Sequence, residues 1–139
     1  MKPHCHGASL IESLTALSVF AVGSAASGAW FHASMAMDAA ASRTMATVTA
    51  IADLRERMRA NPLGVSGGSY NATTPADVGC AGGCTPDQLA ADDLARFRAS
   101  LRRQVGSSTA SVVRCEDTTR CIVHVTLGRH VVAATSFRP

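Results

Sequence analysis

Gly7-Ala8-Ser9-Leu10-Ile11-Glu12 runs directly into Ser13–Met37, a stretch with no Asp, Glu, Lys or Arg, where His32 is the only titratable group. The reading of this stretch decides the fold. It is long enough to supply the roughly 20 apolar residues needed to cross a hydrocarbon core of about 30 Å. Its wealth of Ala, Ser and Gly suits close helix–helix contact better than solvation by lipid alone. Working outward, Ala8 to about Asn61 reads as one long helix, apolar first and amphipathic later. In the second half Met45, Val48, Ile51, Leu54 and Met58 recur at helical spacing, and Asp53 and Arg57 form an i,i+4 pair on another face. Pro62 and Gly64 are expected to stop it. At 1.5 Å per residue such a helix spans on the order of 80 Å. Only its first part fits a bilayer, so the rest is expected to project and carry a head.

Beyond the helix, Leu63–Gly83 reads as a loop rich in Gly, Ser, Thr and Asn. A second helix opens at Thr85, a capping residue, with Pro86 at the first helical position and Gln88 placed for a capping box. Ala90, Leu94, Phe97, Leu101 and Val105 mark its buried stripe, and Gly106 ends it. Arg96, Arg98, Arg102 and Arg103 are expected outside, and the adjacent acids Asp92 and Asp93 on a solvated face. Ser111–Cys115, Arg120–Leu127 and His130–Phe137 are β-branched runs with turn signals at Glu116–Thr119 and Gly128–Arg129, the pattern of an antiparallel meander.

Cysteine usage bears on the compartment. Cys5 precedes the apolar run, while Cys80, Cys84, Cys115 and Cys121 follow it. An exported head would hold those four as two bridges. Four cysteines allow three pairings, and the close spacings favour Cys80–Cys84 and Cys115–Cys121. With under 80 residues and a thin core, the head would draw much of its stability from them.

Other function classes find little support. Thirteen Lys and Arg against ten Asp and Glu leave a formal charge of +3, too small and dispersed to indicate nucleic acid. There is no Gly-rich phosphate loop, no nucleophile elbow and no paired acids in a cleft setting, so an enzyme is not expected, nor a cofactor. His4, Cys5 and His6 are metal-ligand types in a row, but adjacent residues do not close a tetrahedral site. Cys80–Cys84 has half the spacing of a zinc site without a matching second half. His124 and His130 lie on expected strands as lone histidines.

The opening hexapeptide resembles the processing site of type IV prepilins, which have a glycine before the cut, an apolar stretch, and glutamate as the fifth mature residue. Ala8 stands where phenylalanine or methionine is more usual. The resemblance implies that a prepilin peptidase cuts between Gly7 and Ala8 and methylates the Ala8 amine. It also implies that Glu12 contacts the amine of a neighbouring subunit. Asp53-Leu54-Arg55-Glu56-Arg57-Met58-Arg59-Ala60-Asn61-Pro62 and Cys84-Thr85-Pro86-Asp87-Gln88-Leu89-Ala90 look like segments of minor pilins of the PilV type.

The expected fold is therefore α+β and type IV pilin-like, a long N-terminal helix, transmembrane in its first half, packed on a small antiparallel sheet head with a second short helix. Residues 1–7 would be a leader, 8–61 the long helix with its membrane or filament-core part at about 8–37, and 62–139 a periplasmic head. The implied role is priming or supporting type IV pilus assembly, and so adhesion and twitching motility. Implied partners are the prepilin peptidase, other minor and major pilins, the inner-membrane assembly platform and the bacterial inner membrane. A minor pseudopilin of a type II secretion system has the same N-terminal logic. A DNA-uptake receptor using Arg96–Arg103 is the reading from another class, with a solvated helix face the plainer account of those arginines.

Overall fold

The structure, a computed structural model, describes residues 9–71, 83–116 and 120–139. Its elements are α1 (Leu10–Ala60), α2 (Pro62–Ser66), a 3-10 turn (Ser69–Asn71), α3 (Pro86–Gln104), β1 (Thr109–Glu116), β2 (Arg120–Leu127) and β3 (His130–Phe137). The strands form one antiparallel sheet in the order β1-β2-β3. The expected coarse layout is present: a long apolar N-terminal helix, a short helix and a small three-stranded sheet. By internal contacts the chain divides between Ala40 and Ala41 into two units.

In the first unit, α1 opens on the Ser9 carbonyl, which accepts from the backbone N–H of Glu12 at 2.9 Å and of Ser13 at 3.1 Å. From Leu10 to Ala40 no residue is buried. Leu10, Leu14, Leu17, Phe20, Trp30 and Phe31 point outward around the whole circumference. A helix apolar on every side needs an apolar surrounding, from lipid or from other helices.

In the second unit the last part of α1 contributes Thr47, Ala50, Ile51, Leu54 and Met58 to the core. The expected stripe is thus corrected at its start, since Met45 and Val48 are exposed. Thr47 is buried instead because its hydroxyl donates to the Arg43 carbonyl at 2.8 Å and leaves only a methyl to pack. Ala90, Leu94, Phe97, Leu101 and Val105 line the buried stripe of α3, as its periodicity predicts. The sheet adds Val113, Cys121, Val123 and Val125 from one face, with Cys115, Ala133 and Phe137 partly buried beside them.

Local chemistry explains the boundaries. Thr85 caps α3, its side chain accepting from the Gln88 N–H while Gln88 returns a bond to the Thr85 N–H at 3.0 Å. Between β2 and β3, Gly128 has φ +60°, a left-handed conformation that suits glycine in so tight a turn. The expected loop from Leu63 needs correction. Pro62 does end α1, but it also starts α2, with Asn61 as cap and its side-chain oxygen accepting from the Gly64 N–H at 3.1 Å. Proline fits a first helical turn because its missing N–H would be unsatisfied there anyway. The remaining expected loop, together with the Glu116–Thr119 turn, lies largely outside the described residues.

Candidate functional site

Glu12 sits in the first turn of α1, where the helix dipole favours a carboxylate. Its neighbours Leu10, Ile11 and Leu14 are all exposed and apolar. Among the described residues no cation pairs with it, and the ion pairs present all lie between residues 53 and 96. The first basic residue along α1 is Arg43. Gly7 and Ala8 lie outside the described residues.

Within the apolar stretch three hydroxyls bond back to the helix's own carbonyls. Thr15 donates to the Glu12 carbonyl at 2.9 Å, Ser18 to Leu14 at 2.8 Å and Ser27 to Gly23 at 2.8 Å. Such back-bonding satisfies hydroxyls that an oily medium cannot. At 1.5 Å per residue, the distance from Leu10 to Trp30 is about 30 Å, one hydrocarbon thickness. By length and composition α1 is a candidate membrane span.

The second unit contains a polar cluster that sequence reasoning missed. Asp92 and Asp93 are buried, at 3% and 2% exposure, which corrects their expected place on a solvated face. Asp93 accepts from the Tyr70 hydroxyl at 2.7 Å and lies 3.5 Å from Arg57, while Asp92 accepts from Arg96 at 2.6 Å. Arg57 also holds Asp53 at 2.8 Å, the pair its spacing predicts. Asn61 extends the cluster, donating to the Pro86 carbonyl at 2.8 Å and to the Tyr70 oxygen at 3.4 Å. Burial, and then the bond to Asp93, push the Tyr70 phenol well above its ordinary range. The Arg57 guanidinium is likewise raised, first by its bond to Asp53. These groups join the end of α1, α2, the 3-10 turn and α3. No buried side-chain nitrogen or oxygen among the described residues lacks a partner.

A buried acid satisfied by tyrosine and arginine ties together the elements that carry those side chains. The signal for it was available, since Asp93 falls one residue before Leu94 on the buried stripe. Only Tyr70, distant in sequence, reveals why a carboxylate is tolerated there.

Cys115 and Cys121 form a disulfide across the first hairpin, directly opposite in register, as their spacing predicts. Cys84 is also disulfide-bonded; Cys80, its expected partner, lies outside the described residues, as do His4, Cys5 and His6. His124 and His130 are exposed on their strands. Among the described residues no three His, Cys, Asp or Glu side chains gather as a metal site. Comparison of the chain with protein families, with characterised proteins and with solved structures yields no match.

Proposed function

We propose that the chain is a type IV pilin-like subunit, of the PilV minor-pilin kind, that primes or supports pilus assembly and thereby adhesion and twitching motility. Residues 1–7 are its leader, the prepilin peptidase cuts between Gly7 and Ala8, and Ala8 becomes the methylated N-terminus. The first part of α1 resides in the inner membrane until it joins the filament core beside other minor and major pilins. The disulfide-stapled head faces the periplasm, an oxidising compartment suited to its bridges.

One observation carries this reading. Glu12 is an acid without a cation among the described residues, standing in the first turn of a helix whose apolar side chains are exposed all round. A carboxylate at the centre of a membrane helix costs about 2.5–3.5 kcal/mol on insertion scales. The start of a helix lessens that cost, and the positive amine of a neighbouring Ala8 offsets it further. The pairing would draw the subunit out of lipid and set its axial register at once.

Mass spectrometry of the mature N-terminus should find methylated Ala8, and a chain retaining residues 1–7 would overturn the proposal. Replacing Glu12→Ala should leave cleavage intact while reducing incorporation into pili, and unchanged piliation would count against the role. Deletion should impair motility; loss of protein secretion instead would assign the subunit to a type II secretion system.

A further inference from the structure

The last part of α1 and strand β3 do not close on each other. Val48, Ile51 and Ala52 of α1 and Ala133, Ala134 and Phe137 of β3 line a groove of about 330 Å³ between them. Three of those six side chains are alanine, too short to bridge the gap from either side. β3 also carries one extra residue just before the groove, since Val125 pairs with Ala133 and Thr126 with Val131, which leaves Val132 outside the register. Such a bulge bends a strand and sharpens its twist. The walls are firm, because Ile51 belongs to the core and Ala133 and Phe137 pack against it.

One cation completes the lining. Arg55 follows Ile51 by one helical turn and lines the groove beside it. Its Nε donates to the Arg138 carbonyl at 3.3 Å, which ties the guanidinium to the residue that follows β3. That bond uses one of the five N–H groups of the side chain, and a carbonyl does not neutralise the charge. The neighbouring acids of α1 are held elsewhere, Asp53 by Arg57 at 2.8 Å and Glu56 by Arg59 at 3.1 Å. Among the described residues no ion pair includes Arg55, and no acidic side chain lines the groove.

Apolar walls with a single guanidinium suit a ligand that has an apolar body and one negative charge. Size narrows the choice. A water molecule takes about 30 Å³ in the liquid, so the groove holds about ten groups of that size, such as the methylenes of one unbranched chain. A partner helix, about 10 Å across with its side chains, is too thick to enter. One cation balances a carboxylate better than a doubly charged phosphate, and the two Nη groups left on Arg55 match the two carboxylate oxygens.

We infer that the groove between α1 and β3 binds an unbranched medium-chain fatty acid, its alkyl chain lying between Ala52 and Ala133 and its carboxylate meeting Arg55. Burial of the chain supplies the affinity, and the charge-assisted pair sets its direction. Every residue involved belongs to the second unit, so the inference is independent of the pilus reading.

The test uses the full chain in nanodiscs of phosphatidylcholine, with empty discs to correct for probe taken up by lipid. Octanoate should shift the methyl signals of Ala52, Ala133 and Ala134 saturably and show nuclear Overhauser contacts to them. Pentanoate, three methylenes shorter, should bind about tenfold or more weakly, each methylene counting for about two- to fourfold. Arg55→Gln should weaken octanoate by about tenfold or more, the loss expected for hydrogen bonds to a charged group. It should leave 1-octanol unchanged, which a purely structural role of Arg55 would not. Ala52→Leu, at an exposed helical position that accepts leucine readily, should fill the groove and abolish binding of both probes. No saturable shift, or equal binding of octanoate by parent and Arg55→Gln, would overturn the proposal. Lipid contacts at Ala133 before octanoate is added would overturn it in favour of a membrane lipid, and contacts between differently labelled copies of the chain in favour of a second copy.

Discussion

The two parts of α1 solve opposite problems with one backbone. From Leu10 to Ala40 no side chain is buried, and the apolar groups face outward in every direction. From Ala41 to Ala60 a single stripe, Thr47 through Met58, is buried against the sheet and α3, while Arg57 and Asp53 pair on the flank. The same contrast governs the acids. Glu12 has no cation beside it among the described residues, whereas Asp92 and Asp93 are buried with all their needs met. The difference teaches that a helix is not apolar or amphipathic in itself. What it buries depends on whether the surroundings come from this chain or from elsewhere.

The sharpest way to break the comparison is to truncate a leucine in each part. Leu54→Ala should cost the head about 2–5 kcal/mol in thermal or denaturant unfolding, because Leu54 is fully enclosed and leaves a cavity. Leu17→Ala should change head stability by no more than about 0.5 kcal/mol. Equal losses would mean that the two parts are not energetically distinct.

Next in size comes the hairpin staple. Replacing Cys115→Ala together with Cys121→Ala should lower head stability by about 2 kcal/mol, the loop-entropy value for a closure as short as this one. The measurement is the unfolding midpoint of the double variant against the oxidised parent.

The smallest effect is also the most diagnostic. Tyr70→Phe should cost about 1–2 kcal/mol at neutral pH by removing the donor to buried Asp93. The phenol is raised in the folded chain, so its contribution is complete below the unfolded value of 10.0 and is lost as pH climbs through the folded one. Parent protein should therefore lose stability above pH 10 more steeply than Tyr70→Phe. Parallel alkaline profiles would show that Tyr70 does not link the cluster to pH.

Much of this architecture was legible because local signals and burial agreed. Thr85, Pro86 and Gln88 announced α3, and the Ala90–Val105 stripe gave its inner face. The strand limits of β2 and β3 followed from β-branched runs separated by Gly128–Arg129. What escaped were features that depend on distant partners. Asp93 resembled one of a solvated pair until Tyr70 and Arg57 were brought to it by the fold. Asn61 and Pro62 spelled a helix stop, but the same residues cap and begin α2. The closure of β1 at Cys115 was equally hidden, because the bonds to its backbone come from Asn71, 44 positions earlier. At the proposed assembly site, the chemistry of Glu12 was readable while the partner proposed for it belongs to another molecule.

The hydroxyls of Thr15, Ser18 and Ser27 leave no outstanding demand on whatever encloses the N-terminal segment. Those three groups can pass from one oily host to another without breaking or remaking their bonds. On the proposed reading, transfer from fatty chains into a sheath of neighbouring helices would then turn on shape, on Glu12 and on the side chains of Ser24, His32 and Ser34.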